Sequence, residues 1–195
     1  LEKRKKLDPA TLDNWRKRNL SKDPLKYLED AKTIVVTVFS YTPYKREFPE
    51  GIGAYSPHYP AYQKGREAAK ELAAKIEKEG YKAVTEHRLP VKALALKSGA
   101  GCYGKNGLIH LKGHGSFITL HAIITNAALT SDDPKDIITD CGSCRNCIDA
   151  CPMGAISDNG AVFQSRCIRY YMFTSNFIPV EIRENVGVKM LGCDR

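Results

Sequence analysis

The chain has 195 residues, of which 43% are hydrophobic, and it carries a formal net charge of +8 at pH 7. This size and apolar content predict one domain or a domain and a half with a proper core, whereas no apolar run reaches the roughly 18–20 residues of a membrane span and no signal peptide is visible. The positive charge suits anionic partners such as tRNA, a phosphorylated cofactor or an acidic protein, although basic chain ends alone would produce it.

The first forty residues predict two short helices and a strand. Asp8-Pro9 and Asp23-Pro24 each pair an N-cap residue with a proline at the first helical position. We therefore expect one helix through about Asn19 and a shorter one after Asp23. The run from Thr33 to Phe39 is rich in β-branched residues and nearly all apolar, which is typical of a buried strand.

Tyr41 to Pro60 is predicted to be a long loop because it holds four prolines, and its five tyrosines or phenylalanines either line a pocket for a flat ligand or only pin the loop down. The next element is a helix from Ala61 to Glu79, followed by Gly80. Its apolar residues at helical spacing are Ala68, Leu72, Ala73 and Ile76. A short strand over Tyr81 to Thr85 and a helix from Pro90 to Ser98 follow.

A glycine-rich segment comes after that helix, with the sequence G-A-G-C-Y-G-K-N-G over residues 99–107, here called the glycine loop. It matches the P-loop pattern, but Asn106 stands where a P-loop needs a Ser or Thr hydroxyl. It also contains a dinucleotide-binding fingerprint, but that fingerprint must follow a strand and open a helix. The glycines still allow a ligand to approach the backbone closely, with Lys105 as a fixed positive charge.

Two strands are predicted after the glycine loop, Leu108 to Leu111 and Ser116 to Thr125, joined as a hairpin. This region carries three histidines, His110, His114 and His121. A metal site of three histidines is one interpretation, but scattered surface or core histidines are the more common case. Ser131 to Pro134 then reads as a linker, so we predict an α/β cofactor-binding domain over residues 1–130 and a cluster domain over residues 131–195.

The strongest motif is C-G-S-C-R-N-C-I-D-A-C-P, which ends at Pro152 and has the C-x2-C-x2-C-x3-C-P spacing of a bacterial ferredoxin loop. By the rule for two-cluster proteins, Cys141, Cys144 and Cys147 share one [4Fe-4S] cluster, while Cys151 serves another. A zinc site or a disulfide knot is the alternative, but zinc loops rarely place three cysteines at successive x2 spacings before C-P.

Two more cysteines lie downstream. Cys167 opens an amphipathic, helical run, and Cys193 stands two residues before Arg195. With the motif they provide six ligands for the eight positions of two clusters, so we expect a fragment whose clusters are incomplete. Cysteines grouped at ligand spacing, rather than spread as a disulfide frame, indicate a reducing cytoplasm.

Five segments occur in a characteristic order: Lys92–Leu108, Gly115–Leu120, Cys141–Ile156, Cys167–Tyr170 and Ile178–Asp194. Together they resemble the epoxyqueuosine reductase family, which is related to the corrinoid-dependent reductive dehalogenases, and the resemblance covers roughly residues 25–195. It implies an α+β/α/β fold. A nitroreductase-like N-terminal domain, similar to cobalamin-processing proteins, would precede a ferredoxin-like domain with two [4Fe-4S] clusters that is incomplete at its C-terminal end.

The resemblance also implies a function. A low-potential electron donor protein would supply electrons, and two clusters would pass them to a bound corrinoid for reduction of a small or tRNA-borne substrate. Cys151, Cys167 and Cys193 would hold the cluster nearer the corrinoid. The residues implied to lie near the corrinoid are Gly101, Tyr103, Gly104, Lys105, Asn106 and Arg169.

The chain departs from the family at its acidic proton donor. Family members carry a V-D-x-x-P-type segment where this chain has T-E-H-R-L-P, and a bulky residue where it has Cys102. Glu86 or His87 could take over proton donation, because imidazole exchanges protons near neutral pH. The other hypotheses are a divergent relative with another substrate, a ferredoxin-type electron carrier without a catalytic cofactor, and a flavin-dependent reductase. Oligomeric state is not predicted.

Overall fold

The structure is a computed structural model that describes residues 21–41, 54–55, 58–131, 141–174, 177–187 and 189–191. The strands are β1 (Thr33–Ser40), β2 (Ala54–Tyr55), β3 (Ala83–Val84), β4 (Cys102–Tyr103), β5 (Ile109–His110), β6 (Ile118–Thr125) and β7 (Lys189–Leu191). The helices are α1 (His58–Lys78), α2 (Val91–Lys97), α3 (Asn146–Asp149), α4 (Ile168–Thr174) and α5 (Val180–Val186), with short 3₁₀ helices at Pro24–Lys26 and Gln164–Arg166. None of these helices is both long and apolar enough to cross a membrane.

The main sheet has the order β1-β6-β3 and is antiparallel throughout. β1 pairs with the whole of β6, from Thr33 opposite Thr125 to Ser40 opposite Ile118. In the described part of the chain β3 accompanies β6 only at Ile124 and Thr125. The strand predicted from the β-branched run after Thr33 is therefore confirmed, and the central position belongs to β6.

The two faces of β6 are covered by different helices. α1 approaches the face that carries Thr119 and His121, where Gly65 contacts both side chains. Because side chains alternate along a strand, Ile118 lies on the opposite face, and it packs there in one core cluster with Ala95 of α2. A strand covered on both sides reads as a nearly continuous apolar run, as β6 does.

α1 begins three residues earlier than predicted, at His58 rather than Ala61. Proline is tolerated in the first turn of a helix, where its missing N–H would have no partner anyway, so Pro60 does not stop the helix. The buried residues of α1 are Ala61, Gly65, Ala69 and Ala73, four residues apart. Of the apolar set predicted from the sequence only Ala73 is buried, since small residues let this helix lie close to the sheet.

The predicted hairpin is wrong. β5 pairs with β4, which lies inside the glycine loop. Cys102 stands opposite His110 and Tyr103 opposite Ile109. Only one isolated bridge, between Leu111 and Gly115, remains of the proposed pairing. β1 instead pairs with one edge of β6 along its full length.

The remaining helix predictions agree with the structure within a residue or two, while the strand predicted over Tyr81–Thr85 shortens to β3. The helix after Asp23 is a 3₁₀ turn in which the carboxylate of Asp23 accepts the N–H of Leu25 at 3.0 Å. α2 starts directly after Pro90. The helix predicted from Asp8 to Asn19 lies outside the described residues.

Candidate functional site

The cysteine motif forms a compact loop over residues 141–151, here called the cluster loop. Gly142 has a positive φ of 48°, which lets the chain turn directly after the first cysteine. The N–H of Cys144 donates to the carbonyl of Cys141 at 2.8 Å, and α3 then carries Cys147. All the described cysteines of the motif are free thiols, so the disulfide knot is not formed.

Two thiols of the cluster loop lie close enough to a third, that of Cys147, to affect its ionisation. Burial raises the pKa of the Cys147 thiol, and the nearby Cys141 and Cys144 raise it further. Mutual repulsion of this kind is relieved by a positively charged iron cluster, which binds thiolates and not thiols. The donor set therefore fits an iron–sulfur cluster.

The spacing of the thiols differs from that of a site for one metal ion. Within the described residues no three His, Cys, Asp or Glu side chains are grouped closely enough to hold one ion. The cysteines of a [4Fe-4S] cluster each bind a different iron, so they stand farther apart than the ligands of one ion. Two sulfurs already accept backbone N–H groups, Cys141 from Lys105 at 3.4 Å and Cys151 from Ala155 at 3.3 Å. Such N–H···S bonds are among the interactions that set cluster potentials.

The ligands predicted for the second cluster are described only in part. Cys167 follows the 3₁₀ turn Gln164–Arg166 and directly precedes α4, as the amphipathic run predicted. Cys193 lies outside the described residues. The ligand set of Cys151, Cys167 and Cys193 stays a prediction.

Most residues of the glycine loop are engaged within the protein. A Cβ built on Gly101 would lie 2.6 Å from the carbonyl oxygen of His110, and one on Gly104 would collide with the His110 ring. The side-chain oxygen of Asn106 lies 3.1 Å from Nε2 of the same histidine and accepts the N–H of Leu108 at 3.1 Å. These two glycines thus allow β4 and β5 to lie against each other. Tyr103 packs against the core cluster.

Lys105 leaves the glycine loop and reaches the cluster loop. Its ammonium donates to the carbonyl of Gly142 at 2.8 Å and to that of Cys144 at 2.9 Å. Its own backbone N–H is the donor to the Cys141 sulfur. One residue of the first region therefore makes three hydrogen bonds to the first turn of the cluster loop.

Arg169 makes a second connection between the two regions. It donates a hydrogen bond to the hydroxyl of Tyr59, at the start of α1, and its guanidinium carbon lies 3.2 Å from the centroid of the Phe173 ring. The rings of Tyr59 and Phe173 are nearly parallel, with centroids 6.4 Å apart. Arg169 thus contacts α1, and its predicted place beside a corrinoid stays a prediction.

A cleft of about 240 Å³ opens where β3 ends and β6 continues. α1, α2 and β6 surround it, and the segment after β3 closes one side. Its lining residues are Tyr62, Arg66, Ala69, Thr85, Glu86, His87, Val91, Leu120, His121 and Ala122. Both residues proposed from the sequence as proton donors, Glu86 and His87, lie in this lining. Arg66 and Tyr62 were not predicted from the sequence. The only signals for them were a charged and an aromatic residue four positions apart on the same helix.

Glu86 is paired with cations of α1. Its carboxylate lies 2.5 Å from the guanidinium of Arg66 and 3.5 Å from the ammonium of Lys70. The hydrogen bond from Arg66 is the main cause that lowers the pKa of the Glu86 carboxyl, and Lys70 adds to it. This arrangement favours the ionised carboxylate, which has no proton to donate.

We expect the Glu86 carboxyl to titrate below its ordinary value of 4.5, and its midpoint to rise when Arg66 is replaced by methionine. Because the pKa is lowered in the folded state, the pairing stabilises the fold above the ordinary pKa and this contribution is lost as pH falls through the lowered one. Carboxyl-detected NMR at low and high salt measures the midpoint. Both groups are exposed, so salt should weaken the shift. An equal midpoint in Arg66→Met would contradict the assignment.

His87 uses both ring nitrogens in the folded chain. Nε2 lies 2.9 Å from the carbonyl oxygen of Ala122, and Nδ1 accepts the N–H of Leu89 at 3.2 Å. The partners assign the neutral tautomer with its proton on Nε2, where the carbonyl holds it. For His87 to donate a proton to a ligand, Nδ1 has to take up a proton in place of the Leu89 N–H, and the bond of Nε2 to β6 has to break.

The three histidines of the predicted hairpin region are each engaged separately. His110 bonds Asn106, and His114 is exposed with Nδ1 3.4 Å from the carbonyl oxygen of Lys112. His121 is buried, bonds Thr119 at 3.1 Å and lies with its ring 4.8 Å from that of Tyr62. Burial, then the charges of Arg66 and His58, lower the pKa of His121, so its ring is neutral near pH 7. The expectation of scattered histidines rather than a metal site agrees with these contacts.

Comparison with known proteins places both regions in context. A family model described as a 4Fe-4S double cluster binding domain matches residues 140–195. An epoxyqueuosine reductase of Lactococcus garvieae is 35% identical over 181 residues, covering 86% of this chain and 50% of that protein. The chain thus spans about half the length of the curated relatives that it matches over most of its own length.

Solved structures agree with the sequence matches. An epoxyqueuosine reductase from Streptococcus thermophilus superposes with a TM-score of 0.72 at 28% identity, covering 94% of this chain and 55% of that one. Another, solved with an epoxyqueuosine-modified stem loop of tyrosine tRNA, gives a TM-score of 0.72 at 23% identity and covers 96% and 56%. The fold is therefore the mixed α/β fold of these structures, with a 4Fe-4S binding domain in its C-terminal part.

Proposed function

This chain belongs to the epoxyqueuosine reductase family, and we propose that it is the cofactor-binding and iron–sulfur part of a cytoplasmic oxidoreductase that reduces a tRNA-borne substrate. In this proposal residues 1–130 form a nitroreductase-like domain and residues 131–195 a ferredoxin-like domain. The single observation that carries it is the cluster loop, in which Cys141 and Cys144 lie near the Cys147 thiol and Lys105 of the glycine loop bonds the first turn.

Two [4Fe-4S] clusters are proposed. Cys141, Cys144 and Cys147 would hold one, with Cys144 exposed toward a low-potential donor protein, while Cys151, Cys167 and Cys193 would hold the other. The clusters supply one-electron chemistry at low potential, and a corrinoid, when bound, supplies the reduction of the substrate. The net charge of +8 suits a polyanionic substrate such as tRNA.

The cleft is the proposed place for the reacting part of the substrate. Its 240 Å³ is below the roughly 300–1,000 Å³ typical of pockets for drug-sized ligands, so a bound corrinoid would extend beyond it. In this proposal Arg66 is the cleft residue whose positive charge would bind an anionic group of the substrate. In the structure it is paired with Glu86. Of the two proposed proton donors, Glu86 is held as a carboxylate. His87 would donate as an imidazolium, which requires Nδ1 to release the N–H of Leu89 and take up a proton.

The proposal is tested by adding cobalamin to the anaerobically reconstituted protein and recording difference absorbance. We expect a shift to the spectrum of a corrinoid that has lost its lower axial base, and His87→Ala should leave this binding in place. The iron-free protein serves as the control for nonspecific association. An unshifted spectrum with iron fully incorporated would contradict the corrinoid proposal.

One observation favours a ferredoxin-type electron carrier as the second candidate. Polar groups of the glycine loop already form hydrogen bonds with His110, Leu108 and the cluster loop, where a cofactor would need them as partners. A carrier would show reducible clusters and no cofactor affinity. A flavin-dependent reductase would instead bind FMN when FMN is added in place of cobalamin. The corrinoid enzyme, the electron carrier and the flavin enzyme therefore give three different spectra.

A further inference from the structure

The geometry points to Lys105 as a positioning residue that holds the first turn of the cluster loop in its ligand-ready shape and raises the reduction potential of the cluster bound there. This inference rests on the cluster-binding part of the proposed function and is independent of any corrinoid.

Lys105 makes several hydrogen bonds to the first turn of the cluster loop, and two of them come from a charged group. The Lys105 ammonium is held by two carbonyls of the turn, those of Gly142 and Cys144, at 2.8 and 2.9 Å. A charged donor makes stronger hydrogen bonds than a neutral one. The backbone N–H of the same residue reaches the Cys141 sulfur. The turn between the first two cysteines is thus fixed from outside the cluster loop.

The glycine loop, from which Lys105 extends, is itself held by contacts on several sides. Lys92 of α2 donates to the carbonyl of Gly107 at 2.9 Å, and Asn106 bonds both Leu108 and His110. A Cβ built on Gly107 would lie 3.1 Å from Cγ2 of Val162, which follows the cluster loop in the second region. Lys105 therefore extends from a rigid support, as a positioning residue requires.

Lys105 also brings a positive charge to the cluster loop. Its ammonium is bound by two carbonyl oxygens, which leave that charge in place, and among the described residues it has no carboxylate partner. A cluster becomes more negative when it is reduced, and a nearby positive charge and an N–H···S bond both favour that state. Lys105 should consequently make the cluster easier to reduce.

The test compares Lys105→Met with Lys112→Met, which removes the same charge from an exposed turn, and with Lys105→Arg, which keeps the charge. In the iron-free full chain, hydrogen exchange of the peptide covering residues 141–147 should be about tenfold faster in Lys105→Met than in the other two, since a hydrogen bond to a charged group is lost. After reconstitution, redox titration followed by EPR should give a more negative potential for Lys105→Met alone.

Equal exchange in all three variants would overturn the inference, as would an unchanged potential in Lys105→Met. Circular dichroism checks that each variant folds, and Lys105→Arg keeps the test decisive if the methionine variant does not. Failure of the proposed function looks different: a chain that takes up no iron in any form still gives a clear exchange result. Iron uptake with unchanged exchange instead removes the role of Lys105 while leaving the cluster in place.

Discussion

Replacing Cys147 by alanine is expected to remove one whole [4Fe-4S] cluster, a loss of about four irons per chain, and with it electron transfer to any substrate. The reason is the grouping of thiols: Cys147 is the partly buried member whose pKa responds to both Cys141 and Cys144. Two remaining thiolates do not hold a cubic cluster. Alanine is chosen over serine because a serine oxygen can still bind iron. Iron and sulfide analysis after anaerobic reconstitution, with EPR of the reduced protein, measures the loss.

Cys102→Ala is the matched control. Cys102 is likewise outside any disulfide, but it is buried in β4, outside the cluster loop. Buried cysteine behaves as a small hydrophobic residue, so its truncation should cost some stability and no iron. Iron loss of the same size in both variants would show that a general unfolding, and not a missing ligand, explains the Cys147 result.

Gly65→Ala is expected to destabilise the fold by about 2 kcal/mol, although alanine favours helices over glycine by about 1 kcal/mol. The added Cβ would lie 2.5 Å from Nε2 of His121 and 2.6 Å from Oγ1 of Thr119, which bond each other in the buried face of β6. Overpacking costs about 1–3 kcal/mol, and two fixed polar atoms place this case at the upper end. Urea unfolding measures the change, and a thermal midpoint lower by about 4–8 °C should accompany it.

Glu67→Ala tests the same helix on its exposed side. It changes helix propensity without meeting the sheet, so its effect should stay within about 0.5 kcal/mol. If Gly65→Ala proves as stable as the natural chain, α1 has room to move away from β6. The close contact between α1 and His121 would then not be a requirement of the fold.

The parts of the fold that could be predicted are those with a strong local pattern. β1 follows from its β-branched residues, α2 from Pro90, and the helix after Cys167 from its amphipathic run. In α1 the apolar residues at helical spacing did not identify the buried face, since Ala73 alone among them is buried. The packing uses Ala61, Gly65 and Ala69 instead, and a close approach to a sheet leaves no trace in hydrophobicity.

The pairing of β4 with β5 could not be read from the sequence. Strands of two residues are too short to show an alternation of apolar and polar side chains. β4 lies in the glycine loop and β5 just after it, and glycines that pack closely against His110 bring the two together. In the site, the spacing of the cysteines alone indicated the cluster loop. The roles of Lys105 and Arg169 as connections between the regions depend on tertiary contacts more than thirty residues apart in the chain, on which local patterns are silent.

The bond from His87 to Ala122 has a consequence for the behaviour of the protein at high concentration. In the described residues β3 pairs with β6 at Ile124 and Thr125 only. At Ala122 the imidazole of His87 bonds the backbone carbonyl that a neighbouring strand would otherwise pair with. An unpaired strand edge is a template for strand addition from another chain. If Thr85–Leu89 moves away from the cleft, this edge of β6 becomes exposed to other chains. The His87 side chain, by occupying the Ala122 carbonyl, therefore opposes edge-to-edge self-association.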